Sequence, residues 1–422
     1  MNIAHHEYLE ESEEEERLPI LNMESMKVIS PLGRGAKGVV FLVKEEPLGE
    51  FYALKVVSRE FVKKKKRGSN DKDIEGEEYR RIYFEQQVVS RFNHPLLPKL
   101  RGVLATDKIL AYAIDYCPGR DLHFLRKQQS EKMFAIDTIR FYAAELVLAL
   151  EYLHRLGIAY RDLKPDNIMV QENGHIMLVD FDLSTELPPK SASPVSVVAD
   201  RRKRRSPLHR FFNRGVSPDD SGEELGHRLS EPDSTSKSNS FVGTEEYVAP
   251  EVIQGDGHDF GVDWWSLGVV LYEMLYGVTP FKGENRKESF YRILTKKPDL
   301  VGEATPLRDL IGKLLIKDPK ERIRVEGIKG HDFFKGIDWD LLLQILRPPY
   351  IPFMDNWSEG EGKNGIKEID VEIFVQEIFG AGDDDKKKNL DGSHHHGNEN
   401  KKVWVNGLNT NHPCEAENFL VF

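Results

Sequence analysis

Of the 422 residues, 39% are hydrophobic and 31% charged, and the formal net charge is −11 at pH 7. That balance can fill the core of one large two-lobed enzyme or of two to three ordinary domains, and its acidic sign gives no reason to expect specific nucleic-acid binding. Cys117 and Cys414 are the only cysteines, which excludes a disulfide framework and points to a reducing compartment; no apolar run reaches membrane-span length, and the amino terminus is too acidic for a signal peptide.

Residues 1–22 read as a disordered leader, because the charges of Glu10–Glu16, broken only by Ser12, repel one another. Three apolar segments follow, Val28–Leu32, Val39–Val43 and Phe51–Val57, and Gly33, Gly35 and Gly38 mark a bare hairpin turn between the first two. The charged stretch Lys63–Glu78, with its basic run Lys63–Arg67, leads into a helix over Arg80–Phe92 that ends near His94-Pro95. Leu100–Tyr116 reads as two strands joined through Ala105–Lys108. Beyond Pro118-Gly119 the pattern turns helical, with Phe141, Ala144, Glu145, Leu148 and Tyr152 on one face of a long helix. A β-rich part thus precedes a helical one, with the change near Cys117–Gly119, which predicts two lobes and a ligand cleft between them.

Residues 187–238 are rich in Ser, Pro, Arg and Asp and read as a long insert that is both functional and disordered. Compact sequence resumes at Phe241 and runs to Phe334. A tail follows from residue 335, proline-rich at Arg347–Pro352 and polar over 381–402, where His394–His396 reads as solvated loop.

Gly33-Arg34-Gly35-Ala36-Lys37-Gly38-Val39-Val40 fits G-x-G-x-x-G-x-V between two strands. Such a loop lets main-chain N–H groups approach phosphate oxygens, with Val40 covering an adenine. A tight structural turn has the same glycines; a dinucleotide site is disfavoured, because Val39–Val43 reads as strand where that site needs a helix. Lys55 lies in an apolar strand, where burial demands a phosphate and a carboxylate as partners. Glu77, Glu78 and Glu85 compete for the carboxylate role.

In Tyr160–Asn167, Asp162 can accept a hydroxyl proton, Lys164 can balance charge on a moving phosphoryl group, and Asn167 can hold a divalent cation. Asp180, after the apolar run Ile176–Val179, supplies a second metal ligand. The set suits phosphoryl transfer, in which positioning and neutralising negative oxygens outweigh covalent work. Further on, Glu251 is expected to pair with Arg322, and Asp263 to hold the main chain of the catalytic loop. In the insert, Arg201–Arg205 with Arg210 and Arg214 form a basic run free of acids, readable as a nuclear address, an anionic-lipid site or a solvated loop.

With the glycine loop, Lys55, Tyr160–Asn167 and Asp180 in this order, the chain resembles protein kinases, and specifically the AGC class in its plant-type branch with an enlarged activation segment. The branch markers are Asp180-Phe181-Asp182 in place of Asp-Phe-Gly and the insertion before Ser240-Phe241-Val242-Gly243-Thr244. The resemblance implies an α+β, bilobal fold: a kinase domain over 23–334 (β-rich N-lobe 23–116, helical C-lobe 117–334) and an AGC-type tail over 335–422. It implies ATP and Mg2+, or Mn2+, as cofactors, and transfer of the γ-phosphate to serine or threonine of arginine-containing proteins. It favours Glu85 as partner of Lys55. To the nucleotide contacts of Gly33–Gly38 and Val40 it adds Leu32, Ala53, Asp115, Cys117 and Asp121, with Ile114 as gatekeeper.

By the same resemblance Asp121, Asp166 and Glu273 read substrate arginines. Ser240 is the activation phosphosite, Arg161 the partner of its phosphate, and Thr244 a structural contact of Asp162 and Lys164. Asp182 is expected to restrict the φ freedom of the metal-binding segment and to shift metal preference. Phe419 and Phe422 would insert into an apolar pocket of an upstream phosphoinositide-dependent kinase, or fold back onto this chain. Since the chain stops at Phe422, the phosphorylatable residue that the class carries beyond the second aromatic is expected to be absent. Signalling in oxidative stress and defence, MAP-kinase cascade components as partners, and a monomer in cytoplasm and nucleus with peripheral contact to anionic lipid complete the expectation. The rival, a pseudokinase or docking scaffold, needs a missing catalytic part, and none of Lys55, Glu85, Asp162, Asn167 or Asp180 is missing.

Overall fold

The computed structural model of the chain describes residues 18–35, 38–46, 48–60, 62, 74–187, 243–345, 348–351, 369–380 and 420–421, without the side chains of 74–78, 380 and 420–421. Residues 1–17 of the leader, Ala36 and Lys37, the basic runs, Ser240, His394–His396, Phe419 and Phe422 lie outside the described residues, as do the side chains of Glu77 and Glu78.

In chain order the elements are β1 (Met26–Arg34), β2 (Gly38–Glu45), β3 (Phe51–Ser58), α1 (Ile74–Ser90), β4 (Leu100–Ala105), β5 (Ile109–Asp115), α2 (Leu122–Gln128), α3 (Ile136–Arg155) and β6 (Ile158–Ala159). Then come β7 (Ile168–Val170), β8 (Ile176–Leu178), β9 (Thr185–Glu186), α4 (Pro250–Gln254), α5 (Gly261–Tyr276) and α6 (Arg286–Thr295). The last are α7 (Pro306–Leu314), α8 (Val325–Lys329), α9 (Val371–Gly380) and β10 (Leu420–Val421). Packing divides the chain into two compact units, one of Met1–Gln128, Pro165–Asp182 and Asp338–Phe422, the other of Gln129–Lys164 and Leu183–Ile337.

The first unit is built on a sheet of order β10-β1-β2-β3-β5-β4, antiparallel apart from the parallel β1–β10 pair. The two-residue period of β3 sends Tyr52, Leu54 and Val56 to one face and Ala53 and Lys55 to the other. On the first face these three join Val39, Phe41 and Val43 of β2 in a buried cluster. Helix α9 closes that cluster with Val371, Val375 and Ile378, and its Phe374 meets Phe41 edge-on at 5.4 Å between centroids. Gly38 is needed where β2 begins, since a Cβ there would lie 2.1 Å from the Val56 carbonyl oxygen. Helix α2 packs with the 3-10 turn Pro165–Asn167 and with β7, so this unit runs on to Gln128 although strands give way to helices between Asp115 and Leu122. Strands β7 and β8 pair as a hairpin.

The second unit is organised by α5, which is buried along Val262–Met274. A helix apolar on all sides must be enclosed by others, and here α3 and α7 pack against it. Gly277 at φ +75 stops α5, while Thr305 accepts from the Arg308 N–H and Pro306 opens α7, a start signal with a polar cap. A sheet-based unit and a helical unit make the α+β class that the pattern predicts. No helix among the described residues is long and apolar enough to cross a membrane.

Candidate active site

In the sheet-based unit, register aligns Val40 of β2 with Lys55 of β3, which puts Val40, Ala53 and Lys55 on the sheet face opposite the buried cluster. The Gly35 N–H donates to the Gly38 carbonyl at 2.9 Å and closes the glycine turn. Lys55 Nζ donates to Glu85 Oε1 and Oε2 at 2.9 and 3.1 Å and to Asp180 Oδ1 at 2.9 Å. Helix α1 supplies Glu85, whose Oε1 also accepts the Phe181 N–H at 3.1 Å. Burial disfavours the ammonium, but Asp180 and Glu85 outweigh it and hold Lys55 well above the ordinary lysine range. The charge is therefore permanent near neutral pH.

Asp180 sits at φ +61, and the Val179 N–H beside it donates to the Asn167 carbonyl at 3.1 Å. That bond ties the segments of the two expected metal ligands together. Among the described residues, positive φ at non-glycine positions is confined to Arg120, Lys132, Arg161 and Asp180, so Asp182 holds its place without the conformational freedom of glycine. Phe181 is buried against Phe92, 4.7 Å between centroids. Cys117 packs with Met169, Met177 and Val179; its sulfur is 3.6 Å from that of Met177, and burial raises the thiol pKa far above its usual range.

Three expected site residues have other work. The Asp115 carboxylate accepts from Arg101 Nε at 2.6 Å and from the Lys99 N–H at 3.0 Å. Asp121 caps α2 by accepting the Phe124 N–H at 2.7 Å; burial raises its pKa, the Phe124 bond opposes this, and Asp166 adds to the rise. Glu273, in the helical unit, is buried and accepts the Tyr247 hydroxyl.

Also in the helical unit, Asp162 is held from two sides. Lys164 Nζ donates to its Oδ2 at 2.8 Å, and the Thr244 hydroxyl donates to its Oδ1 at 2.9 Å. Lys164 also reaches Thr244 Oγ1 at 3.2 Å. The fully buried Asp263 accepts the N–H groups of Tyr160 and Arg161 at 2.9 and 2.7 Å and the His154 ring nitrogen at 2.8 Å. It pins the loop where Arg161 takes φ +69. Arg322 forms a bidentate pair with Glu251 at 2.7 and 2.9 Å.

In one unit a lysine stands between two carboxylates beside a glycine hairpin, and in the other a carboxylate is held by a lysine and a threonine hydroxyl; phosphoryl-transfer enzymes use groups of these types. The family model described as protein kinase domain matches residues 26–202 and 227–334. The chain belongs to the protein kinase family. Serine/threonine-protein kinase OXI1 of Arabidopsis thaliana is 56% identical over 97% of this chain and 99% of that protein. Serine/threonine-protein kinase UCN of the same plant is 41% identical over 80% of this chain and 86% of its own. Phototropin-2 of Oryza sativa subsp. japonica is 39% identical over 78% of this chain but 34% of its own length. This kinase is a serine/threonine enzyme of the plant AGC type, as its motifs imply.

Two residues, one in each unit, lie beside expected site residues and carried no signal in the sequence. Tyr112, the register partner of Lys55 on β5, places its ring centroid 5.8 Å from the Lys55 ammonium. His258 lies 3.4 Å from Arg161 through Nε2. Arginine can only donate, so Nε2 is the acceptor of a neutral ring, and burial together with the Arg161 charge lowers the His258 pKa. Neither belongs to a motif; only the fold brings them in.

Proposed function

We propose that this kinase transfers the γ-phosphoryl group of ATP to serine or threonine hydroxyls of arginine-containing proteins in stress or defence signalling. The observation that carries the reading is Asp162 with Lys164 and Thr244 on its two oxygens. The acceptor hydroxyl gives its proton to Asp162 as its oxygen forms a bond to phosphorus, and the bond from phosphorus to the bridging oxygen of ADP breaks. Lys164 balances charge on the phosphoryl oxygens during transfer. Lys55, oriented by Glu85, is the cation for the other phosphates of the nucleotide.

Asn167 and Asp180 would hold Mg2+, which when bound neutralises phosphate oxygens. Two hard oxygen donors leave positions for phosphate and water, as this ion prefers, and the Asn167–Val179 bond keeps the two segments adjacent. Mn2+ suits the same donors. Leu32, Gly33–Gly38, Val40, Ala53, Asp115 and Cys117 would surround the nucleotide, and Asp121, Asp166 and Glu273 would meet substrate arginines.

Control rests on the family resemblance. Phosphorylation of Ser240 would engage Arg161, after docking of an upstream phosphoinositide-dependent kinase at Phe419 and Phe422. MAP-kinase cascade components as further partners, residence in cytoplasm and nucleus, and contact with anionic lipid through Arg201–Arg214 belong to the same proposal. The test is transfer from ATP and Mg2+ to an arginine-rich serine peptide, beside a peptide with its arginines replaced and beside Asp162→Asn. The expected result is preference for the basic peptide and a loss of about 10²–10⁴-fold in kcat for Asp162→Asn. Equal rates on the two peptides would remove arginine recognition, and an active Asp162→Asn would remove the assigned proton acceptor.

A further inference from the structure

Thr244 touches Asp162 twice, through its hydroxyl at 2.9 Å and through its N–H at 3.3 Å. It also opens a tight turn: the Tyr247 N–H donates to the Thr244 carbonyl at 2.9 Å, which leaves Glu245 and Glu246 at the two central positions. Gly243 brings the chain into that turn at φ +111, where a Cβ would stand 3.1 Å from the Arg161 carbonyl oxygen. The turn is therefore pressed against the loop that carries Asp162, within one compact unit.

The turn is pinned from several sides. Lys164 reaches the Thr244 hydroxyl at 3.2 Å, and the Thr279 hydroxyl donates to Glu246. The Tyr247 hydroxyl donates to Glu273, and the Ser266 hydroxyl to the Tyr247 carbonyl at 3.0 Å. Glu245 is the exception. Its side chain is 48% exposed, and among the described residues its one ion pair is with Arg286, 3.3 Å from Nε to Oε1, itself 55% exposed. An ion pair this open to water is weak. Arg286 is moreover the first residue of α6, an end of the helix that favours an anion over a cation. A cation from outside can displace it at little cost.

Consecutive Cα atoms lie about 3.8 Å apart, and an extended peptide advances about 3.3 Å per residue. The Glu245 carboxylate, one residue along from the contact with Asp162, is thus in reach of a long side chain one or two places from the acceptor hydroxyl. We propose that Glu245 is a specificity-determining residue that selects arginine or lysine at such a flanking position, with Arg286 occupying the carboxylate until substrate arrives. The proposal rests on the reading of Asp162 as the acceptor of the hydroxyl proton. A carboxylate displayed on a pinned turn loses little freedom on pairing, so the gain falls on substrate affinity and not on the transfer step.

The test uses the full-length kinase with ATP, Mg2+ and serine peptides whose distant arginines are constant. Each of the two positions on either side of the serine carries arginine, alanine or glutamate in turn. For the wild type, KM at one of these positions rises from arginine to alanine to glutamate, about two- to fivefold per step, and kcat varies less than KM. Glu245→Gln brings the three KM values together, Glu245→Lys reverses their order, and Arg286→Ala widens the gap by removing the internal competitor. A preference that survives Glu245→Gln, or a wild type indifferent to charge at every flanking position, would overturn the assignment; transfer that still depends on the distant arginines would leave the proposed function standing. A wild type that transfers to none of the peptides would strike the phosphoryl-transfer reading first and carry the Glu245 assignment with it.

Discussion

In the sheet-based unit Lys55 reaches Glu85 and Asp180, and a quarter of its side chain (25%) remains open to solvent. In the helical unit Arg322 reaches Glu251 with both terminal nitrogens, also donates to the carbonyls of Gly261 and Ile316, and is 1% exposed against 5% for its partner. Both clusters place a cation against carboxylates inside a protein. In the second, donors and acceptors are matched and closed off, and nothing else can enter. In the first, one lysine serves two carboxylates, and one of these follows from a residue at positive φ. Saturated charge holds a fold; charge left partly open beside a strained residue is available to a ligand.

Cutting the closed pair should cost the protein most. Glu251→Ala leaves the Arg322 charge buried without its partner, and the loss of stability is about 3–5 kcal/mol, read from denaturant midpoints. The activity of the fraction that stays folded remains. A cost near zero would mean that the helical unit does not lean on this pair. The open cluster should fail in the opposite sense. Lys55→Met lowers phosphoryl transfer about 10²–10³-fold, with a smaller change in unfolding midpoint than Glu251→Ala. A variant that unfolds yet retains its specific rate would reverse the two assignments.

The same contrast explains what could be read from the residues alone. The hairpin with its glycines, the strand carrying Lys55 and the loop carrying Asp162 are local patterns, and period and turn chemistry place them. The Val28–Leu32 span expands in the structure to Met26–Arg34, since pairing with β2 extends the strand past its most apolar stretch, whereas the helix expected over Arg80–Phe92 starts earlier, at Ile74, and stops earlier, at Ser90. What was not legible depends on partners distant in the chain. The Arg101 bond to Asp115 and the Tyr247 bond to Glu273, 26 positions apart in the chain, are two such contacts. Helix α9 was hidden in a tail whose charges and prolines dominate its composition, although Val371, Phe374, Val375 and Ile378 carry the helical spacing. Only the sheet face that they cover shows why the spacing is there.

A third cation, Lys317, has neither arrangement. Its Nζ lies 3.8 Å from the Phe281 ring centroid and 4.8 Å from that of Trp265, and it has no hydrogen-bond partner among the described residues. Burial, and then the nearby Arg322 charge, lower its pKa from 10.5 to about 7; the aromatic faces offset only part of that. From about 7 to 10.5 the unfolded chain keeps a proton that the folded chain has lost, so stability rises with pH across this window, and the burden of the buried charge is greatest at and below neutral pH. Lys317→Met removes the charge and keeps an apolar chain between the rings. Allowing for partial exposure, the unfolding temperature rises by about 2 °C at pH 7, and the gap between variant and wild type narrows by pH 9.5. Thermal unfolding of both proteins across that range decides it. A variant less stable than wild type at pH 7 would mean that the two rings hold the ammonium well enough to count it among the saturated charges.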